Sequence, residues 1–158
     1  MKIPYKAIGP QDPQIVKIFP ENRLTFRPVI TIALQYQDAK EKFSALVDSG
    51  ADTCLFPKDA AEMLNIDVKS GPRVFFTGIG GGQVPFYFHE VNLFIGEYQV
   101  RSKVGFSTSA IGTSGILGQQ GFFDNFLVTF DCRNKFLEIK KPTLISEDRK
   151  STRLNSSH

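Results

Sequence analysis

The residues whose type and spacing could do chemistry lie in one stretch, Ala45-Leu-Val-Asp48-Ser49-Gly50-Ala51-Asp52-Thr53-Cys54-Leu55-Phe56. A hydrophobic run ends there in one acid, Asp48, and a glycine follows two positions later. Burying an unpaired ionised group is costly, so an apolar run that rises into a carboxylate reads as a buried strand delivering the acid to a cleft. Gly50 then lets the backbone turn sharply or another chain come close. One carboxylate does little to an amide bond. Two placed face to face cannot both ionise, so they hold one proton between them. The ionised member can take a proton from water while the other gives one to a scissile carbonyl, with neither metal nor covalent intermediate. The chain holds one such stretch. A two-fold homodimer is the economical way to set Asp48 opposite its own copy.

Other chemistries find less support. Cys54 and Cys132 are far apart and lack metal-ligand spacing, so the expectation is a buried, reduced pair in the cytosol. His89 is the only histidine apart from His158 at the end of the chain, and is expected as a solvated strand residue. No metal site, no cofactor and no Ser/His or Cys/His apparatus is predicted. Ser107-Thr-Ser-Ala-Ile-Gly-Thr-Ser114 is a small polar loop without a Gly-x-Ser-x-Gly arrangement, and is expected to border a cleft.

The elements that must position Asp48 are mostly strands. A length of 158 residues suits one domain, and 41% hydrophobic content with 15 Phe and no Trp suits a Phe-packed interior. Residues 1–22 read as an extended arm, with Gln14–Phe19 as a short strand between prolines. Alternation from Leu24 to Tyr36 predicts one half-buried strand. Residues 37–42 form a charged turn, and Phe43 to Asp48 returns as the second strand of a hairpin. Pro57 to Leu64 reads as a short helix with Ala60, Met63 and Leu64 inward.

Gly78-Ile79-Gly80-Gly81-Gly82 then separates two apolar runs. A phosphate-cradling loop is excluded there, since no Lys-Ser/Thr pair or helix signal follows. Past the glycines the apolar phase slips at His89-Glu90, which suggests a bulge or bend. Val100 to Phe106 is a strand and Gly115-Ile116-Leu117-Gly118 a buried strand end. Gln119 to Asn125 is a brief helix. Phe126 to Asp131 and Phe136 to Lys141 are the last two strands, the final one a candidate for an intersubunit sheet.

Three of these elements together resemble the retropepsin-like aspartic proteases, the single-domain, homodimeric relatives of pepsin. The elements are Asp48-Ser-Gly-Ala-Asp-Thr53, the glycine-rich Gly78–Gly82 and Gly115-Ile-Leu-Gly118. The likeness runs from about Leu24 to Lys141. It implies a closed, mostly antiparallel β-barrel with one or two short helices, and a homodimer in which Asp48 is catalytic. Ser49, Gly50, Ala51, Asp52 and Thr53 would complete the active-site loop, with Ser49 bonding across its base. Gly78, Ile79, Gly80 and Gly81 would form a flap over bound peptide, and Ile116, Leu117 and Gly118 would lock the loop. In one respect the chain departs from the family. Viral relatives commonly carry an Arg after that last glycine, paired with the acid matching Asp52, and here the position is Gln119. A neutral amide cannot supply that charge-assisted bond.

The expected organisation is an arm (1–22), a protease domain (23–142) and a polar tail (143–158). Residues 148–158 resemble a translated sequencing-library adapter, so the natural sequence is expected to depart from this one after Glu147. Without them 16 Lys+Arg face 15 Asp+Glu, and no basic patch argues for nucleic acid. No signal peptide or membrane span is read, and a cytoplasmic location is expected; action on peptides is what the resemblance implies. The alternative from another class is a peptide-binding domain that keeps the cleft without turnover.

Overall fold

The computed structural model describes residues 1–78, 80–109 and 112–142. Ile79 and the tail at 143–158 therefore lie outside the described residues. The chain runs through β1 (Lys2–Pro4), β2 (Lys6–Pro10), α1 (Pro13–Ile18), β3 (Leu24–Arg27), β4 (Val29–Tyr36), β5 (Ala39–Val47), β6 (Cys54–Phe56) and α2 (Lys58–Met63). A 3-10 turn at Val68–Ser70 leads into β7 (Arg73–Thr77), β8 (Gln83–Ile95), β9 (Tyr98–Ser107), β10 (Gly115–Leu117), β11 (Leu127–Asp131) and β12 (Phe136–Lys140).

Six strands close on themselves in the order β4-β5-β10-β6-β9-β8, with β8 returning to β4 through Ala33–Phe94, Leu34–Leu93 and Gln35–Asn92. The barrel is mostly antiparallel, as expected. Its two parallel pairings, β5 with β10 and β6 with β9, lie on either side of the antiparallel β10–β6 pair. Ile32, Leu34, Leu93, Ile95, Val104, Phe106 and Leu117 fill the interior. Each such side chain contributes roughly 1.5–3 kcal/mol on burial. A second sheet, β1-β12-β11, supplies Leu137 and Ile139 to the same core.

Several local expectations are corrected. Gln14–Phe19 is α1 rather than strand: the Asp12 side chain accepts from the Gln14 N–H, and Pro13 opens the first turn. The predicted strand Leu24–Tyr36 is two, because Pro28 has no N–H for a ladder. Its first half leaves Leu24 and Phe26 exposed and pairs with β2. The charged turn shrinks to Gln37-Asp38, since β5 begins at Ala39. In α2, Ala60 and Ala61 are buried while Met63 is exposed, and Pro57 is the N-cap.

The slip at His89 is no bulge. The β8–β9 register runs unbroken from Phe86–Ser107 to Ile95–Tyr98. What changes is the partner: the first half of β8 pairs with β7, where Phe86 meets Phe76 edge to face, and the second half turns its other face into the barrel. His89 is therefore buried rather than solvated, with Nε2 2.8 Å from the Val68 carbonyl oxygen.

Residues 119–125 form successive turns in place of the expected helix, because Gly121 has φ +104°. Both cysteines are free, but only Cys54 is buried and Cys132 is exposed. The candidate intersubunit strand β12 has both edges filled within the chain, by β1 and β11. Among the described residues, no helix is long and apolar enough to cross a membrane.

Candidate active site

Alternation along β5 buries Ala45 and Val47, and the strand ends with Asp48 half-buried at the barrel rim. The loop then turns on itself. The Ala51 N–H donates to the Asp48 carbonyl oxygen at 3.2 Å, and the Gly50 N–H donates to Asp48 Oδ1 at 2.9 Å. One carboxylate oxygen is thus oriented by the main chain.

The loop is held from the outside by β10 and the residues after it. Ile116 lies between Leu46 of β5 and Leu55 of β6, so β10 is threaded between the strands that enter and leave the loop. The Asp48 N–H donates to the Leu117 carbonyl at 3.0 Å, the Gln119 N–H to that of Ala51 at 2.8 Å and the Gln120 N–H to that of Asp52 at 2.9 Å. At Gly118 a Cβ would strike the carbonyl oxygens of Thr53 and Ala51, so the close approach requires glycine. Leu117 and Gly118 are buried against the loop.

Other groups complete the site. The buried Cys54 thiol accepts from the Gly118 N–H at 3.4 Å and donates to the Gln120 carbonyl at 3.6 Å. Burial pushes this thiol up to about 11; the Gly118 N–H partly offsets the rise and the charge of Asp124 adds to it. Thr53 Oγ1 is buried and has no hydrogen-bond partner among the described residues. Ser49 makes its contact across the loop through its carbonyl, which accepts from Gln119 Nε2 at 2.6 Å. In the sequence Gln119 shows only as a missing charge, and nothing local indicates where its amide points. Asp52 is exposed, and its carboxylate takes part in none of the three ion pairs among the described residues.

The glycine stretch is the turn of the β7–β8 hairpin. The Gly78 N–H donates to Gly82 O at 2.8 Å and the Gly81 N–H to Gly78 O at 3.1 Å, with φ +100° at Gly80 and +85° at Gly81. Behind it Phe86 of β8 joins Leu55, Phe56, Pro57, Ser114 and Ile116 around a small pocket of about 70 Å³. The hairpin strand and the strands that carry the loop therefore share one hollow. A larger cleft of about 530 Å³, between Tyr5, Arg23, Phe26, Cys132 and Lys135, contains none of the predicted site residues.

Residues 34–120 match the family model described as aspartyl protease. No curated protein matches the chain. A retropepsin-like aspartic protease from Rickettsia conorii is similar at 19% identity, over 71% of this chain and 89% of that one, with a TM-score of 0.53. The EIAV protease complexed with the inhibitor HBY-793 matches at 19% identity, over 59% of this chain and 82% of that one, with a TM-score of 0.45. The Rickettsia structure shows a shared fold, and the family model spans more than half of the chain, including Asp48, the glycine hairpin and Gly118; the chain belongs to the aspartyl protease family.

Proposed function

We propose that the protein is an aspartic endopeptidase whose dyad forms across a homodimer, one Asp48 from each copy. The observation that carries this reading is the Asp48 carboxylate, held at one oxygen by the Gly50 N–H on a loop fastened from outside, in an aspartyl protease family chain with one such loop. The two carboxylates share a proton. The ionised one takes a proton from a water, whose oxygen attacks the scissile carbon, and the protonated one gives its proton to the carbonyl oxygen. Collapse of the tetrahedral intermediate breaks the C–N bond, with a proton passing to the departing amine.

The remaining site residues bind and orient. The exposed Asp52, Ala51 and the main chain of Gly78, Ile79, Gly80 and Gly81 hold the peptide backbone. Ser49, Gly50 and Thr53 shape the loop, and Ile116, Leu117 and Gly118 hold it in place. One copy encloses only half of such a cleft, which accounts for the small hollow beside the loop. Since β12 is already paired on both sides, a sheet between copies built on this three-stranded sheet extends through the outer edge of β1 or β11.

The test is incubation with a mixed peptide library across pH, with and without a pepstatin-like transition-state mimic, read by mass spectrometry beside sedimentation of the same sample. Inhibitable cleavage by a dimer is expected. No inhibitable cleavage at any pH would identify a peptide-binding domain without turnover, and cleavage by a strictly monomeric protein would overturn the shared dyad.

A further inference from the structure

Gln119 is the residue that grips both limbs of the Asp48 loop. Its main-chain N–H bonds to the Ala51 carbonyl on the outgoing limb at 2.8 Å, while its side chain reaches back to the Ser49 carbonyl on the incoming limb at 2.6 Å. A carbonyl oxygen only accepts, so the amide presents its NH2 group there. The Ser49 carbonyl and the Gly50 N–H belong to one planar, trans peptide unit, in which the two bonds point opposite ways. Holding one aims the other. The Gly50 N–H in turn donates to Asp48 Oδ1 at 2.9 Å. An unbroken chain therefore runs from the Gln119 amide through the Ser49–Gly50 peptide to the carboxylate, and consecutive bonds of this kind polarise one another.

We propose that Gln119 is a positioning residue for Asp48: by holding the Ser49 carbonyl it aims the Gly50 N–H that orients the carboxylate. The inference rests on the reading of Asp48 as the reacting acid. Oδ1 is engaged by Gly50, which leaves Oδ2 for the water or the partner's acid. A carboxylate released from that hold rotates, and misplacement of a reacting group lowers turnover more than it lowers substrate binding.

The test compares wild type with Gln119→Ala and Gln119→Glu at neutral pH, by amide NMR and by peptide cleavage. In both variants the Gly50 amide proton is expected to move upfield as its bond to Asp48 loosens. In Gln119→Ala, kcat falls roughly three- to tenfold, the worth of one hydrogen bond, with little change in KM. Gln119→Glu sets a carboxylate against a carbonyl oxygen and falls further. Because Gln119 is exposed, neither variant is expected to lose its fold. An unmoved Gly50 signal in both variants, or a change confined to KM, would overturn the positioning role. A shifted signal in variants of a wild type that cleaves nothing would uphold that role while removing the protease reading.

Discussion

The loop at 48–53 and the turn at 78–82 are both short, both contain glycine and both sit at the end of a hairpin strand, but they are held in different ways. Around Asp48 the chain is fastened by a second segment distant in sequence: Leu117, Gln119 and Gln120 bond to residues 48, 49, 51 and 52, and Gly118 lies in contact with Thr53. In the glycine turn, the two main-chain bonds among the described residues, Gly78 to Gly82 and Gly81 to Gly78, are internal to the turn. A Cβ at Gly80, Gly81 or Gly82 would meet nothing within 4 Å. The first arrangement holds an atom in place, and the second leaves room for something to enter. An enzyme that closes a hairpin over its substrate needs both in one molecule.

The comparison breaks most completely at the acid. Asp48→Asn keeps the shape of the side chain and its place beside Gly50, but removes the group that can take a proton from water. Cleavage is expected to fall at least about a thousandfold with the melting temperature nearly unchanged. Turnover at the wild-type level in purified Asp48→Asn would end the proposed mechanism.

Next in size is the contact that fastens the loop. Gly118→Ala drives a methyl group into the carbonyl oxygens of Thr53 and Ala51, where backbone has no room to yield. Overpacking of this kind costs about 3 kcal/mol, read as a fall of roughly 6–12 °C in Tm, and cleavage falls with it. A stable, active Gly118→Ala would show that the threaded strand does not hold the loop.

Alkali sharpens the same side of the comparison. The Cys54 thiol is raised from 9.0 to about 11 in the fold, so the folded state keeps the proton that the unfolded chain gives up first. Its contribution is complete below about pH 9 and is lost as the pH rises to about 11, in total about 3 kcal/mol. Tyr5, pushed up to about 12 by partial burial and its bond to Cys132, adds a slope at higher pH. Urea midpoints for wild type and Cys54→Ala from pH 8 to 11 separate the two, because only the Cys54 component disappears in the variant.

The two regions also differed in how far they could be read from the sequence. Asp48, the glycines and the barrel strands were legible because strand alternation, an acid ending an apolar run and a glycine cluster are local signals. Helix α1 carries its signal in the sequence, since Asp12 before Pro13 is a cap followed by a first-turn proline, but prolines on both sides also read as the limits of a strand. The burial of His89 was not legible, since its partner Val68 is supplied by a turn 21 residues away. Gln119 was recognised only for the charge it lacks. Its bond to Ser49 spans 70 residues, and it exists because the segment after β10 is laid against the loop.

The smallest effects belong to the glycine turn, and there the two sides of the comparison can be measured against each other. Gly80→Ala places a side chain at φ +100°, a backbone L residues adopt only with strain, at a cost of about 1–2 kcal/mol confined to the hairpin. Gly82→Ala has neither a positive φ nor a neighbour within 4 Å, so its stability is expected within about 0.5 kcal/mol of wild type. Thermal melts of Gly82→Ala, Gly80→Ala and Gly118→Ala should therefore fall in that order, although each substitution adds the same single methyl group. If Gly82→Ala lost as much as Gly118→Ala, the turn would be packed against something on which stability depends, and the contrast between a fastened loop and an open hairpin would fail.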